Sequence, residues 1–194
     1  MPDATPGPAS AVRHEIRLTG FGGQGIISAG YTLALAAALY EDGVDAVMTR
    51  AYGPEKTGGW ARADVVISPG DVDYPQVTAP DAFIALSQEG FDRDAPSARA
   101  GAVMYIDADL VDPGEGAKGV IHRVPATGAA EALGRRVVAN NVMLGAFTRL
   151  SGLVSVAAME RAVAERAPKG TEELNLAAFR RGTELAEETQ RGAQ

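Results

Sequence analysis

The segment Gly20-Phe21-Gly22-Gly23-Gln24-Gly25 most restricts what this chain can build. It has G-x-G-x-x-G spacing. Residues 16–19 before it read as a short strand. Residues 25–39 after it lack proline, are rich in good helix formers and read as a helix. Glycines let a strand-to-helix turn close tightly and let backbone approach a ligand. The helix start then offers free N–H groups and the positive end of its dipole, so an anion, most often a phosphate, is the natural occupant. A dinucleotide site also needs an acid near the end of the second strand. That strand ends here in Met48-Thr49-Arg50, and Glu41 and Asp42 come too early. Arg50 suits a 2′- or 3′-phosphate, or plain solvent. The loop therefore admits three readings: a phosphate-bearing ligand, NAD(P), or a tight turn with no ligand.

The rest of the chain says what the loop is built on. Further strands are predicted at 45–49, 64–68, 81–86 and 102–106, with a last short one at 119–123. The 64–68 strand holds the continuous run Val65-Val66-Ile67, which predicts burial on both faces. Residues 52–60 and 112–119 are rich in glycine and proline and read as loops. After Pro125 helical patterns take over, at 141–150, 156–167 and 174–189. Ser155 is a candidate N-cap, and Pro168 with Gly170 forms a stop. This order predicts an α/β fold: an open, mostly parallel sheet flanked by helices, Rossmann-like, with a helical C-terminal third packed on it.

Loops at the carboxyl ends of strands form the ligand crevice of such a sheet. The second candidate loop, Tyr52-Gly53-Pro54-Glu55-Lys56-Thr57-Gly58-Gly59, should therefore lie beside the first. Lys56 offers a point charge and Thr57 a hydroxyl for a phosphate or carboxylate. The competing reading is a solvated polar turn. Ser87-Gln88-Glu89 follows a predicted strand at the same edge, with Glu89 as a lone candidate base. Asn140-Asn141 opens the 141–150 helix, where one of the two is expected to serve as N-cap. Asp107 and Asp109 end a strand and are expected to be solvated or to cap.

Composition excludes several chemistries. The chain has 194 residues and no cysteine, so disulfides, thiolate zinc, cysteine nucleophiles and iron–sulfur ligation are outside its own means. Its two histidines, His14 and His122, are far apart in sequence. A net charge of −7 argues against nucleic-acid binding. No run of about 18 or more apolar residues predicts a membrane span. Residues 1–10 lack the apolar core of a signal peptide, so a cytoplasmic location is expected. The predicted organisation is a flexible start over 1–12, one α/β domain over 13–185 and a polar tail over 186–194.

Taken in order, the motifs resemble the gamma subunit of the 2-oxoacid:ferredoxin oxidoreductases, with most likeness to the 2-oxoglutarate type. The matching stretches are Gly20 to Ile26, Tyr52-Gly53-Pro54-Glu55 with Gly58-Gly59, Val66-Ile67-Ser68 and Asp73-Tyr74-Pro75. They continue with Pro80-Asp81, Leu86-Ser87-Gln88-Glu89, Pro125-Ala126-Thr127, Asn140 to Ala146 and Asn175 to Gly182. The resemblance implies a complex that converts a 2-oxoacid and coenzyme A to acyl-CoA and carbon dioxide and reduces a carrier. Thiamine diphosphate, Mg and iron–sulfur clusters would sit on partner subunits. Ferredoxin or an NAD-linked acceptor would be reached through those chains. The lack of cysteine, and of a Gly-Asp-Gly thiamine signature, agrees with that division.

No catalytic residue is expected in this chain alone. The cofactor-binding candidates, toward coenzyme A, are Gly22, Gly23, Gln24, Gly25, Tyr52, Lys56, Thr57, Gly58, Ser87 and Asn141. One departure stands out: Thr57 occupies the place of the family's arginine in Gly-Pro-Glu-x-Arg-Gly-Gly. Threonine lacks the bidentate fork, so an aryl 2-oxoacid such as phenylglyoxylate is the alternative substrate, with pyruvate a further one. The alternatives from other classes are a stand-alone NAD(P)-binding domain and a purely structural subunit.

Overall fold

A computed structural model describes residues 12–54, 58–115 and 119–192. The start of the chain, Lys56 and Thr57 lie outside the described residues. Six strands form one sheet: β1 (His14–Phe21), β2 (Asp45–Tyr52), β3 (Trp60–Ser68), β4 (Ala82–Ala85), β5 (Val103–Asp107) and β6 (Val120–Val124). Their order is β2-β3-β1-β4-β5-β6. The pairs β1–β4, β4–β5 and β5–β6 are parallel. β3 runs antiparallel to both β1 and β2, so it alone is reversed.

The sheet is mostly parallel, as expected, but the clearest strand signal belongs to the reversed strand. Val65-Val66-Ile67 is a continuous apolar run because β3 is covered on both faces, and burial does not encode direction. The β2–β3 hairpin is also longer than the sequence suggests. β2 continues to Tyr52, which pairs with Ala61, and β3 begins at Trp60. The polar and small residues at these ends are held by ladder register, which local apolar pattern does not report.

The helices are α1 (Ile26–Tyr40), α2 (Gln88–Asp94), α3 (Ala126–Ala132), α4 (Ala139–Ser151), α5 (Val156–Arg166) and α6 (Glu172–Gly192). Ser155 caps α5 by accepting from the Ala158 N–H, as predicted. Neither Asn140 nor Asn141 is an N-cap. α4 begins at Ala139 with Val138 in the capping position, so both asparagines lie inside its first turn. The helices α2 and α3, seven residues each, are too short for the helical periodicity that marks the longer ones.

The main core lies on one face, where Ile16, Leu18, Val65, Ile67 and Ile84 meet α1 and the C-terminal helices through Leu33, Met143, Phe147, Met159 and Phe179. α4 and α6 cross at Gly145 and Gly182. A Cβ on Gly145 would overlap the Phe179 carbonyl, and one on Gly182 the Val142 carbonyl. The opposite face carries a smaller cluster of Phe83, Ala85, Phe91, Ile106 and Val111 under α2.

Candidate ligand-binding site

After β1 the chain passes to α1 on the main-core face. After β4, the parallel neighbour of β1, it passes to α2 on the other face. The carboxyl ends of β1 and β4 therefore form a topological switch point, the place where open α/β sheets bind ligands. A cavity of about 210 Å³ lies there, lined by Gly23, Gln24, Leu86, Thr127, Arg136, Val137 and Ala139. A larger hollow of about 520 Å³ between α1 and β2 is lined mainly by apolar side chains, Tyr31, Leu35, Leu39 and Met48 among them. It holds none of the candidate polar groups apart from Arg50.

The first glycine loop forms one wall of the switch-point cavity. Gly25 sits at the N-cap of α1 in the left-handed region, with φ +74°, where a side chain would be strained. A Cβ there would also strike the Asn140 amide. Among the described residues no side chain caps α1, and its first turn carries no acid, so its leading N–H groups face the crevice without a side-chain partner. Gln24 braces the loop. Its Oε1 accepts from the Phe21 N–H at 2.6 Å, and its Nε2 donates to the Leu86 carbonyl at 2.6 Å.

The second loop lies beside the first, as the strand directions demand. The Gly22 N–H donates to the Gly59 carbonyl at 2.7 Å, and the Gly53 N–H donates to the Trp60 carbonyl at 2.9 Å. Gly58 adopts φ +75° and is exposed. Tyr52 stands apart on the outer strand β2, 55% exposed.

The remaining candidates frame the crevice. The Ser87 hydroxyl is buried and caps α2, accepting from the Gly90 N–H at 3.1 Å. Asn140 Nδ2 donates to the Gly25 carbonyl at 3.3 Å. Asn141 Nδ2 donates to Asn175 Oδ1 at 2.6 Å, tying α4 to α6. Glu89 is exposed on the first turn of α2. Asp109 caps as expected, accepting from the Gly128 N–H at 2.7 Å. Asp107 is buried instead of solvated and accepts from the Thr127 hydroxyl at 2.6 Å. Burial raises its carboxyl above the usual range, against the pull of those hydrogen bonds.

Sequence reasoning missed Arg136 and the charged cluster behind the loops. Arg17 makes a bidentate pair with Asp64, at 2.7 and 2.8 Å. Asp94 accepts from the Thr19 hydroxyl at 2.7 Å and from Arg93 Nη2 at 2.6 Å, with Arg62 Nη1 3.6 Å away. Burial alone would raise the Asp94 carboxyl, but these donors outweigh it and hold the group below its ordinary value. The alternation of Arg17 and Thr19 with Ile16 and Leu18 along β1 is the one sequence signal of a polar inner face.

The NAD(P)-binding alternative loses ground on this geometry. The acid of a dinucleotide site stands on the strand next to β1. Here β3 fills that position, and Arg50 of β2 lines the α1–β2 hollow instead. Among the described residues no three His, Cys, Asp or Glu side chains gather as metal ligands. No helix there is long and apolar enough to cross a membrane.

Residues 15–185 match the family described as pyruvate ferredoxin/flavodoxin oxidoreductase. The chain belongs to this family. It is 47% identical over 180 residues to the 2-oxoglutarate synthase subunit KorC of Methanocaldococcus jannaschii, covering 91% of this chain and 96% of that one. The crystal structure of the keto/oxoacid ferredoxin oxidoreductase gamma subunit from Geobacter sulfurreducens superimposes with a TM-score of 0.78 at 41% identity. That match covers 92% of this chain and 98% of the other. The 2-oxoglutarate:ferredoxin oxidoreductase of Magnetococcus marinus, with 2-oxoglutarate, coenzyme A and succinyl-CoA bound, gives a TM-score of 0.81 at 26% identity. It covers 91% of this chain and 31% of that longer chain. The protein is thus a gamma-type subunit of a 2-oxoacid:ferredoxin oxidoreductase, and its fold is that of such subunits.

Proposed function

We propose that this subunit serves a complex that oxidatively decarboxylates 2-oxoglutarate, with coenzyme A, to succinyl-CoA and carbon dioxide. Its role is to form part of the coenzyme A site. The observation that carries this reading is the pairing of two glycine-rich loops at the switch point, joined by the Gly22–Gly59 hydrogen bond. A nucleotide-bearing thioester carrier brings phosphates, and the uncapped start of α1 is suited to them.

Gly22, Gly23, Gln24 and Gly25 would line the phosphate side. Gly58 would contribute from the second loop, whereas Tyr52 stands apart on β2 and Lys56 and Thr57 lie outside the described residues. Ser87 and Asn141 act through the frame: Ser87 caps α2, and Asn141 ties α4 to α6. In this reading thiamine diphosphate, Mg and the iron–sulfur clusters sit on partner subunits, and for the clusters the lack of cysteine in this chain supports that division. Thiamine would supply the carbanion and the clusters would accept electrons there. The task of the present residues is to bind and orient coenzyme A.

A second reading, an aryl 2-oxoacid substrate, rests on Thr57 in place of the family's arginine. Steady-state rates of the purified complex with 2-oxoglutarate, pyruvate and phenylglyoxylate decide between them. A kcat/KM highest for 2-oxoglutarate supports the proposal. A preference for phenylglyoxylate overturns the substrate assignment in favour of the second reading.

A further inference from the structure

The chain from Leu86 to Arg93 touches the first glycine-rich loop and the residue that follows the second. It holds the first through the Gln24 bond to the Leu86 carbonyl. It reaches Trp60, next to Gly59, through Arg93 near the end of α2. The Arg93 guanidinium carbon lies 4.1 Å from the centroid of the Trp60 ring. Trp60 is the only tryptophan of the chain and the first residue of β3, and its carbonyl accepts from the Gly53 N–H.

Two features say that Arg93 is placed for the ring and not merely to neutralise Asp94. First, charge balance does not require it. Asp64 is taken by Arg17, and Asp94 already has Arg62 nearby and the Thr19 hydroxyl as donor. Second, the plane of the guanidinium is fixed. Nη2 donates to Thr19 Oγ1 at 2.9 Å and to Asp94 Oδ2 at 2.6 Å, while Nε donates to Asp94 Oδ1 at 3.2 Å. Among the described residues Nη1 is buried without a hydrogen-bond partner. Such a deficit disfavours the arrangement unless stacking compensates it, and a guanidinium over an indole is the strongest of the common cation–π pairs. A lysine could carry the charge but could not present a flat fork to carboxylate and ring together.

We propose that Arg93 is a positioning residue that fixes Trp60 and, through it, Gly53 and Gly59 at the two ends of the second glycine-rich segment, so that these ends are set for coenzyme A. The ligand part of this statement rests on the coenzyme A reading above; the positioning of Trp60 does not. The test uses Arg93→Met, which keeps the stem but removes charge and donors, and Arg93→Lys, which keeps the charge.

Trp60 emission is read in the full chain. Apparent KM for coenzyme A, KM for the 2-oxoacid and kcat are read in the assembled complex. In Arg93→Met the emission shifts and the coenzyme A KM rises about threefold to tenfold, with the 2-oxoacid KM unchanged. Arg93→Lys falls between, and it serves alone if the methionine variant does not fold. General destabilisation would lower kcat without this split. Unchanged emission in a folded variant overturns the positioning of Trp60. Shifted emission with an unchanged coenzyme A KM overturns the ligand part and the coenzyme A reading of this loop with it.

Discussion

The Gly22 N–H donates to the Gly59 carbonyl at 2.7 Å, so the β1–α1 turn and the β2–β3 hairpin loop share a hydrogen bond. Gly22 belongs to the G-x-G-x-x-G segment and Gly59 closes the second glycine-rich segment, 37 positions along. A Cβ on Gly22 would sit 3.3 Å from that carbonyl, tighter than ordinary contact. Each loop thus limits the shape of the other.

Gln24 is the brace most open to test. Gln24→Ala strands the Phe21 N–H and the Leu86 carbonyl, which now have partners at 2.6 Å each. The expected loss is about 1–3 kcal/mol of stability. Gln24→Glu keeps the acceptor, loses the donor and adds negative charge beside the uncapped start of α1. It should therefore raise the coenzyme A KM of the complex more than Gln24→Ala does. Denaturant titration and saturation kinetics check the two halves.

The α4–α6 crossing depends on bare backbone contact at Gly145 and Gly182. Gly182→Ala must push the helices apart and should destabilise the subunit by at least about 1–3 kcal/mol. Asn140, which donates to the Gly25 carbonyl, and Asn141 adjoin the Val142 contact on α4, so a displaced α4 should also raise the coenzyme A KM of the folded complex. Thermal unfolding beside kinetics separates the effects.

Arg17 and Asp64 are both buried and joined by two hydrogen bonds. Arg17→Met alone should cost about 3–5 kcal/mol, because it leaves a buried carboxylate with only Arg62 near. Arg17→Met combined with Asp64→Leu should recover much of that loss, which a double-mutant cycle in denaturant measures.

Two buried carboxylates should respond to pH with opposite sign. The Asp94 pKa is lowered by folding, so its stabilisation is present above the unfolded value, near 3.8, and is lost as pH falls through the folded value. Asp94→Asn should flatten that acid limb. The Asp107 pKa is raised by folding, so stability falls as pH rises from about 3.8 to its folded value. Asp107→Asn should remove that decline and gain stability at neutral pH relative to acid. Unfolding free energies from pH 3 to 7 test both signs.

What could be read from the sequence follows physical range. The glycine loop, α1 and Ser155 are local signals, and each appears where its residues place it. The reversal of β3 was not legible, because Val65-Val66-Ile67 reports two covered faces and no direction. The α2 helix was missed because it is short and contains Gly90, although Ser87 and Glu89 form its proper start. Asn140 and Asn141 look like caps in sequence. The structure gives their amides to Gly25 and Asn175, partners that only tertiary packing brings near. Arg93 and Asp94 carried no motif at all, since their meaning lies in Thr19 and Trp60 on other elements.

The central claim is that the paired loops form part of the coenzyme A site. Hydrogen–deuterium exchange of the assembled complex, with and without coenzyme A, tests it most directly. The account predicts slowed exchange in residues 20–28 and 53–60 of this subunit. Protection confined to the other subunits, with these two loops exchanging as before, would contradict it.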